Sequence, residues 1–404
     1  MKSMKILLVN KFHYFRGGAE RAYFDTARVL RNAGHEVAFF SMQHKENLPS
    51  EWESFFVENV DYHNQYSISR KIRLALKILW NFEARKKLES LLEVFQPDVV
   101  HLHNIYHQIS PSIIQVLKKR RIPTVMTLHD YKLVCPNYSL FVKGKIWEGG
   151  AFQCIKDLCV RDSYGPSIVC SLEHILHTYF RVYENVGAFL SPSQFLIDKY
   201  AQRGFSKEIF LISQPIERNE VFSLKKHTNF HLLFSGRLSQ EKGIDVLLRA
   251  MVSLPNVKLH IAGDGPQRVS LESLTDRLNI RERVSFLGHL AQADLNREMD
   301  DAKVVVLPSV WYENMPYSLT EALGKGKVVV ASKIGGITER ISDGKNGFLF
   351  EAGNDCHLSQ ILRTVLERDD LQDIAKNAFE SVGDLNEDIY RKQLEEVYSK
   401  VMHI

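Results

Sequence analysis

The stretch from Val304 to Ile341 limits the possible folds more than any other part of this chain. It contains two apolar runs, Val304–Leu307 and Val328–Ala331, and turn-forming residues follow each run. Buried strands that end in Gly, Pro or Ser turns, with helices between them, indicate a parallel α/β sheet. Ligands of such sheets bind beyond the carboxyl ends of the strands, and Glu313 and Glu321 fall at such an end. The stretch therefore predicts a ligand site together with a fold class.

The spacing of these two glutamates favours a particular kind of ligand. Seven residues separate Glu313 from Glu321, and Glu321 lies in a predicted helix start. A carboxylate at the loop tip can accept hydrogen bonds from sugar hydroxyls, and one a helical turn further on can bind a ribose. Taken alone, the same pattern also fits two solvated glutamates beside a helix.

The alternation of strand and helix runs through the chain in two series. At 404 residues, the chain is too long for one compact core. We predict two doubly wound α/β domains, residues 1–215 and 216–385, with the amphipathic helix 386–404 packing back on the first. The predicted strands are Ile6–Val9, Val37–Ser41, Val99–Leu102, Thr124–Leu128, Leu232–Ser235, Val257–Ala262, Val284–Leu287, Val304–Leu307, Val328–Ala331 and Phe348–Phe350.

The composition limits which classes of molecule the chain is expected to bind. A 45% apolar and 25% charged content is that of a globular protein, and a net charge of +4 is too small for a nucleic-acid-binding surface. The first uninterrupted apolar run, Ile6–Val9, is too short for the core of a signal peptide, and no run reaches the roughly 18 apolar residues of a membrane-spanning helix. We expect a cytoplasmic protein, at most peripheral to a membrane.

Two loops carry residues suited to a diphosphate. Gly17 and Gly18 follow the first strand and open a helix, where glycine allows close backbone approach and the helix N-terminus attracts phosphate; a simple tight turn is the alternative. After the first strand of the second half, Gly236 precedes Arg237 and Lys242, two cations that flank a helix start. A guanidinium and an ammonium together suit a pyrophosphate whose charge grows as a bond to it breaks, although solvated basic residues are common in loops.

These motifs resemble those of the family-4 retaining glycosyltransferases. The matching segments, in an order and spacing that also agree, are G-G-A-E-R at 17–21, T-L-H-D at 127–130, S-G-R-L-S-Q-E-K-G at 235–243, I-A-G-D-G-P at 261–266, F-L-G-H-L at 286–290, W-Y-E-N-M-P-Y-S-L-T-E-A at 311–322 and I-G-G-I-T-E-R-I at 334–341. The resemblance implies a GT-B fold, in which two Rossmann-like domains face each other across a cleft. The first would be the acceptor-side domain and the second the nucleotide-sugar-binding domain.

The resemblance also implies roles for individual residues. The expected catalytic residues are His129 beside the reacting carbon, Arg237 and Lys242 on the diphosphate, and Glu313 on the transferred sugar. The expected donor-binding residues are Gly17 and Gly18 on the phosphates, Gly236 beside them, Leu290 at the base, Asn314, Met315 and Tyr317 through backbone N–H groups, and Glu321 on the ribose. The expected acceptor-side residues are His103, Asn104 and Asp130.

Histidines follow two of the predicted strands. His101 and His103 are spaced to lie on one face of a strand, which could suit a metal, but no third ligand is evident. We expect His101 in the core and His103 with Asn104 at the rim of the cleft. For His129, we favour support of the transition state over general-base catalysis, because retaining enzymes of this fold have no clear protein base.

The cysteines allow one metal hypothesis. Five cysteines, an odd number, in a chain without an export signal argue against a disulfide framework. Related sequences carry a cysteine cluster after T-L-H-D-Y, and Cys135, Cys154, Cys159 and Cys170 could together hold a zinc ion. The preferred interpretation is an acceptor-side insertion without metal.

A basic segment could contact a membrane. Residues 66–90 contain seven basic residues, and apolar residues interleave with them at helical spacing. An anionic membrane surface and a solvated helix with one face in the core are both consistent with this pattern. The basic residues are Arg70, Lys71, Arg73, Lys77, Arg85, Lys86 and Lys87.

The sequence thus predicts a retaining glycosyltransferase that moves a sugar from a nucleotide-diphosphate sugar to a hydroxyl of a glycan, with no cofactor and no nucleic-acid partner. The expected acceptor is a glycan or lipid-linked oligosaccharide of a bacterial surface polysaccharide. Two alternatives are an enzyme of the same fold, such as a nucleotide-sugar epimerase, and a silent nucleotide-sugar-binding scaffold.

Overall fold

The computed structural model describes residues 3–60, 67–218, 222 and 231–403. The chain divides into two compact units. The first unit comprises Met1–Ser139, Gly149–Gln214 and Glu387–Ile404, and the second comprises Leu140–Glu148 and Pro215–Asn386. Within the described residues, each unit is built on one parallel sheet of six strands.

The strands are short and mostly buried, as expected for sheets covered on both faces. In chain order they are β1 (Lys5–Val9), β2 (Glu36–Phe40), β3 (Val99–Leu102), β4 (Thr124–Thr127), β5 (Phe141–Val142), β6 (Lys145–Ile146), β7 (Ala188–Ser191), β8 (Ile209–Leu211), β9 (His231–Ser235), β10 (Lys258–Ala262), β11 (Val284–Gly288), β12 (Val304–Leu307), β13 (Val328–Ser332) and β14 (Phe348–Phe350). Every strand predicted from the sequence is present, with ends that differ by no more than one residue.

Helices connect the strands. In chain order they are α1 (Gly18–Asn32), α2 (Ile68–Leu79), α3 (Phe82–Phe95), α4 (Ser112–Arg120), α5 (Ala151–Asp157), α6 (Tyr164–Tyr179), α7 (Gln194–Gln202), α8 (Ile244–Met251), α9 (Arg268–Arg277), α10 (Gln292–Asp301), α11 (Tyr317–Gly324), α12 (Ile337–Arg340), α13 (Asp355–Glu367), α14 (Leu371–Glu380) and α15 (Glu387–Met402).

The strand order gives each sheet a switch point. The first sheet runs β2-β1-β3-β4-β7-β8 and the second runs β11-β10-β9-β12-β13-β14. Successive connections leave β1 and β9 in opposite directions, so the order reverses between β1 and β3 and between β9 and β12. Ligands of open α/β sheets bind at such points, beyond the carboxyl ends of the strands.

The last helix completes the core of the first unit. Tyr390, Leu394 and Val397 of α15 are buried against strand residues such as Ile6 and Val99. The helix is also held by polar contacts, since the Tyr390 hydroxyl lies 2.7 Å from Thr26 Oγ1.

One segment lies in a different unit from the one that the sequence suggested. Residues 140–148, predicted within the first domain, group with the second unit. They form a two-stranded hairpin of β5 and β6, and Tyr312 donates a hydrogen bond to Glu148 at 3.1 Å. A two-residue strand has little pattern of its own, so its tertiary partner decides where it belongs.

Candidate functional site

One predicted cation, Lys242, and one predicted glutamate, Glu313, meet at the switch point of the second sheet. Lys242 lies in the loop that follows β9, and Glu313 lies in the loop that follows β12. Lys242 Nζ lies 2.6 Å from Glu313 Oε1, and the Ser309 hydroxyl donates to the same oxygen at 2.7 Å. The two loops therefore present a hydrogen-bonded ion pair where this sheet architecture places ligands.

Glu313 is an ionised carboxylate in a buried place. Its side chain is 5% exposed, whereas that of Lys242 is 22% exposed. Burial alone would raise the pKa of Glu313, but the charge of Lys242 and the hydrogen bonds from Lys242 and Ser309 together lower the pKa. The carboxylate accordingly keeps its negative charge at neutral pH.

Two glycines allow the loops to approach each other this closely. Gly243 has a φ of +63°, and a Cβ there would lie 2.1 Å from the carbonyl oxygen of Pro308. Gly335 has a φ of +59°, and a Cβ there would lie 2.3 Å from the carbonyl oxygen of Glu313. That oxygen accepts a hydrogen bond from the Gly336 N–H at 2.8 Å. The backbone of Glu313 is thus fixed by contacts that only glycine permits.

Arg237 differs from Lys242 in its surroundings. It is exposed, and among the described residues it forms no ion pair. The preceding residue, Gly236, donates its N–H to Ala262 at 3.0 Å, and a Cβ on Gly263 would lie 1.9 Å from the Gly236 carbonyl oxygen. The close-packed glycines fix the backbone on which Arg237 stands, while its side chain faces solvent.

The remaining donor-side residues surround the start of α11. The helix begins at Tyr317, directly after Pro316, and Asn314 and Met315 precede it in the loop. All three predicted N–H residues are half-buried, and so is Glu321, one turn into the helix. The positive end of the helix dipole at such an N-terminus favours anions. Leu290, two residues past the end of β11, is half-buried against the core.

In the first unit, the loops after β1 and β3 are tied together. Lys11 donates its N–H to the Asn104 carbonyl oxygen at 2.8 Å, and Asn104 donates its N–H to Asn10 Oδ1 at 3.1 Å. Gly17 and Gly18 are exposed at the start of α1, and Gly17 has extended backbone angles.

Two charged residues beside this loop were not proposed as site residues from the sequence. Burial lowers the pKa of the Lys11 ammonium, and burial raises the pKa of the Glu20 carboxyl, although their charges partly offset these effects. Glu20 stands inside G-G-A-E-R, and Lys11 is the second residue after β1. Their positions at a strand end and a helix start are the signals that could have identified them.

Three histidines stack in the first unit. His103 lies between His101 and His129, with ring centroids 4.5 and 5.1 Å away, and His103 Nδ1 lies 2.9 Å from His129 Nε2. His101 is in the core as predicted, where Thr127 and Tyr398 each lie 2.7 Å from one of its ring nitrogens. Burial lowers the pKa of His101 and of His129 to about 3 and the pKa of His103 well below its usual range, so all three rings are neutral at pH 7.

The predicted position of His103 is wrong. It was expected at an open rim, but none of its surface is exposed, because His129 covers it. Asn104, predicted beside it, is also buried. His129 itself is half-buried, which leaves it the more accessible of the two stacked rings.

Asp130 lies near a second group of charged residues, of which only Asp130 was predicted from the sequence. It accepts a hydrogen bond from the Lys132 N–H at 2.9 Å, and burial raises the pKa of its carboxyl. The Lys132 ammonium pairs with Glu173 at 2.7 Å, with only 4% and 1% of the two side chains exposed. Glu173 is the one carboxylate of α6, and this was the available signal in the sequence. A buried charged residue is almost always paired, so it would have indicated a buried ion pair.

The zinc hypothesis for the cysteine loop is wrong. Cys154 and Cys159 form a disulfide, a single pairing that the argument against a disulfide framework did not foresee. Cys135 and Cys170 are free and buried, and burial raises the pKa of each thiol. Two of the four proposed ligands are therefore already bonded to each other, and the other two are held as thiols.

The basic segment at residues 66–90 is two helices instead of one. Asn81 accepts a hydrogen bond from the Ala84 N–H at 3.1 Å and thereby caps the start of α3. In α2, Ile72 and Leu76 are 58% and 59% exposed beside the exposed Arg70 and Arg73. Tyr66 and the side chain of Lys71 lie outside the described residues. Among the described helices, none is long and apolar enough to cross a membrane.

Two family models match the chain. The model described as Glycosyltransferase Family 4 matches residues 16–220, and the model described as Glycosyl transferases group 1 matches residues 215–381. The matched ranges contain every motif on which the resemblance was based.

Relatives of known sequence agree with these matches. The chain is 29% identical to an uncharacterized 42.6 kDa protein in the cps region of Klebsiella pneumoniae, over 92% of this chain and 91% of that protein. It is also 29% identical to the uncharacterized glycosyltransferase MJ1607 of Methanocaldococcus jannaschii, over 79% of this chain and 77% of that protein.

Solved structures with the same fold cover nearly the whole chain. Sucrose-phosphate synthase from Thermosynechococcus elongatus matches with a TM-score of 0.76 and 19% identity, over 99% of both chains. Anabaena Alr3699/HepE in complex with UDP and glucose matches with a TM-score of 0.69 and 21% identity, over 98% of this chain and 99% of that one. At this level of identity, the likeness shows the fold, and the predicted GT-B class is confirmed.

Proposed function

Because this chain belongs to the family-4, group 1 glycosyltransferases, we propose that it moves a sugar from a nucleotide-diphosphate sugar to a hydroxyl of a glycan acceptor, with retention at the anomeric carbon. One observation supports this proposal most directly. Lys242 and the buried Glu313 form an ion pair at the switch point of the second sheet, with the exposed Arg237 on the same loop as Lys242.

Lys242 and Arg237 act on the leaving group. An ammonium has three N–H donors, and the contact with Glu313 uses one of them. The others bind diphosphate oxygens, while the planar guanidinium of Arg237 holds two oxygens at once. The two cations lie in the loop that follows β9, and they stabilise the negative charge that grows as the sugar–phosphate bond breaks. Because the loop already holds them in place, the protein needs little rearrangement in the transition state.

Glu313 and the start of α11 hold the rest of the donor. The ionised Glu313 has acceptor capacity beyond its contacts with Lys242 and Ser309, and that capacity takes sugar hydroxyls. The N–H groups of Asn314, Met315 and Tyr317 bind the sugar and phosphate, and Glu321 binds the ribose. Gly17 and Gly18 bind the phosphates, and the backbone near Leu290 contacts the base.

His129 acts on the acceptor side as a neutral hydrogen-bonding group. Its low pKa makes it a poor proton acceptor at pH 7, so it supports the transition state through a hydrogen bond. The acceptor hydroxyl attacks on the face from which the diphosphate leaves, and a leaving oxygen takes its proton. Asp130 and Asn104 orient the acceptor, and His103 acts by holding the ring of His129.

The acceptor belongs to a bacterial surface polysaccharide. One relative is encoded in a cps region, and another is named for lipopolysaccharide core biosynthesis. A lipid-linked acceptor gives the enzyme a reason to work at the inner face of the membrane. The exposed apolar and basic residues of α2 supply a surface for anionic lipid there.

A donor screen followed by a turnover assay tests the proposal. Thermal shift with UDP-, GDP-, ADP- and dTDP-sugars identifies the donor, since a ligand that binds only the folded state raises the melting temperature. With that donor, slow release of nucleotide diphosphate and transfer with retained anomeric configuration are expected. Tight donor binding without any turnover would identify a scaffold, and an inverted product would refute the proposed stereochemistry.

A further inference from the structure

A second cluster of chemically capable side chains lies in the second unit. His231 is the first residue of β9, His260 is the middle residue of β10, and Glu298 lies in α10. His231 pairs in register with Lys258, two residues from His260, so both imidazoles project from the same face of the sheet. Their ring centroids are 4.0 Å apart, and α10 brings Glu298 to both rings.

His231 has hydrogen-bonding groups without a suitable partner. It is 4% exposed, and within the described part of the chain neither ring nitrogen makes a hydrogen bond of normal geometry. Glu298 approaches the ring through its backbone and its carboxylate, whose Oε2 lies 3.5 Å from His231 Nε2. A buried polar group in this state costs stability unless something else binds it.

We propose that His231, His260 and Glu298 bind a divalent transition-metal ion of the Zn²⁺ class. Two imidazoles and a carboxylate are a common protein ligand set for such an ion, with water in the fourth position. The three ligand atoms lie within 4.8 Å of one another. Metal–ligand bonds of about 2.0–2.1 Å separate the ligands of a tetrahedral ion by roughly 3.3 Å.

The observed distances are already close to that separation. Glu298 Oε2 lies 2.8 Å from His260 Nδ1 and 3.5 Å from His231 Nε2. The side chains of His260 and Glu298 are 25% and 29% exposed, which gives an ion and its water access from the surface.

The cluster is separate from the donor-binding loops. His231 stands at the amino end of β9 and Ser235 at its carboxyl end, about 13 Å away, and the donor-binding loops lie beyond that carboxyl end. An ion at this position takes no part in glycosyl transfer. The ion instead links α10 to β9 and β10, and this structural role goes beyond the proposed function.

The other candidate metal cluster in the described residues is less suitable. His107, Cys170 and Glu173 also group closely, but the Lys132 ammonium lies 2.7 Å from Glu173 Oε2. A cation already in contact with the carboxylate opposes a second one. A substitution of Cys170 therefore serves as a control for metal binding at this other cluster.

Titration of the full-length protein with Co²⁺ and Zn²⁺ tests the site. After treatment with a chelator, Co²⁺ binding is followed by visible absorption and Zn²⁺ by competition. The wild-type protein and Cys170→Ser should bind one ion with similar affinity, and Zn²⁺ should raise the melting temperature of both. Glu298→Gln and His260→Asn should weaken binding at least about tenfold and lose most of the thermal shift.

The variants separate this site from adventitious binding. Glu298→Gln keeps the shape of the side chain, and its metal-free melting temperature and circular dichroism establish that it is folded. The proposal is overturned if the wild-type protein fails to saturate at millimolar metal. It is equally overturned if Glu298→Gln and His260→Asn bind as tightly as the wild-type protein, or if only Cys170→Ser loses the ion.

Discussion

At the scale of single residues, the ion pair of Lys242 and Glu313 joins two loops of the second unit. Removing one partner of a buried pair leaves the other charge with less compensation, so each residue acts partly through the other. The pair couples the loop after β9, which carries the cations, to the loop after β12, which carries the carboxylate. In the proposed function, Glu313 contacts the sugar and Lys242 contacts the diphosphate. Substitutions at the two positions should therefore affect different parts of donor binding.

We predict that Glu313→Ala abolishes transfer while leaving most of the affinity for nucleotide, because the carboxylate contacts the sugar. The loss in turnover should reach roughly 10²-fold or more, as for removal of a group that acts in the transition state. Steady-state kinetics and titration with nucleoside diphosphate measure the two effects. An equal loss of nucleotide affinity would contradict the assignment.

Two further variants serve as comparisons for that experiment. Lys242→Ala should weaken binding of the diphosphate as well as turnover, because the ammonium contacts the leaving group. Glu282→Ala removes an exposed carboxylate from the same unit and should change neither quantity. Unchanged diphosphate affinity in Lys242→Ala would mean that the lysine only positions Glu313.

The buried His101 makes stability depend on pH. Its pKa is about 3 in the folded protein, against an ordinary value near 6.5 in the unfolded chain. Between these values, the unfolded chain binds a proton that the folded protein does not, so the free energy of unfolding falls as the pH falls from 6.5 towards 3. The full stability is present above pH 6.5, and one such histidine contributes a slope of about 1.4 kcal/mol per pH unit below it.

Urea unfolding at a series of pH values measures this slope. His101→Gln should be less stable at pH 7, since its contacts with Thr127 and Tyr398 are lost, but its stability should fall less steeply between pH 6 and pH 4. The exposed His289 provides the control, and His289→Gln should keep the wild-type slope. A slope unaltered by His101→Gln would assign the acid sensitivity to other groups.

At the scale of loops and elements, the glycine after β13 determines where Glu313 stands. We predict that Gly335→Ala reduces transfer strongly although it alters no catalytic group, because its Cβ would displace the backbone of Glu313. A displacement of about 1 Å at a reacting centre can cost on the order of 10²-fold in rate. Measuring kcat/KM and thermal stability for the purified variant tests this.

Gly344→Ala is the matched control for that prediction. Gly344 also has a positive φ, +74°, but nothing lies within 4 Å of a Cβ there. Both variants carry the cost of an L-residue in the left-handed region, and only Gly335→Ala adds the collision with Glu313. Similar activity in the two variants would mean that the close approach is not needed for catalysis.

The elements predicted from the sequence are those with long apolar runs. β12 and β13 are buried on both faces and have strongly apolar sequences. β8 is only partly buried, and β7 begins with an alanine and ends with a serine, so neither has a strongly apolar run. The break between α2 and α3 had a local signal, the N-capping Asn81, which the spacing of apolar residues concealed.

The same reasoning explains which candidate residues the sequence offered. Arg237, Lys242 and Glu313 were predicted as site residues because they follow strands inside specific motifs. The Lys132–Glu173 pair and the His231–His260–Glu298 cluster were not, since their members come from different elements. Register between strands and the approach of a helix bring them together, and neither is visible in the order of residues along the chain.

At the scale of the whole molecule, α2 is the surface on which a membrane test should concentrate. Lys87 is hydrogen-bonded to the Phe56 carbonyl oxygen and pairs with Glu83, whereas Arg70 and Arg73 are exposed beside Ile72 and Leu76. We predict that Arg70→Glu/Arg73→Glu lowers co-sedimentation with phosphatidylserine vesicles by about tenfold or more, since each basic residue near such a surface contributes about 1 kcal/mol.

A second basic surface tests whether this effect is specific. Lys118→Glu/Lys119→Glu makes the same change in charge on the exposed end of α4 and should leave sedimentation nearly unaltered. Binding of the wild-type protein should weaken as salt is raised. Equal losses in the two double variants would indicate a general effect of net charge and would contradict a role for α2.

The packing of α15 in the core of the first unit affects how that unit folds during translation. A ribosome releases the strands of that unit first, yet Tyr390 and Tyr398, which fill its interior and bind Thr26 and His101, are translated only after the entire second unit. At about 5–20 residues per second, the early segment waits tens of seconds for its last structural piece. During biosynthesis the second unit can fold as soon as it has been translated, whereas the core of the first unit stays incomplete until α15 has been synthesised.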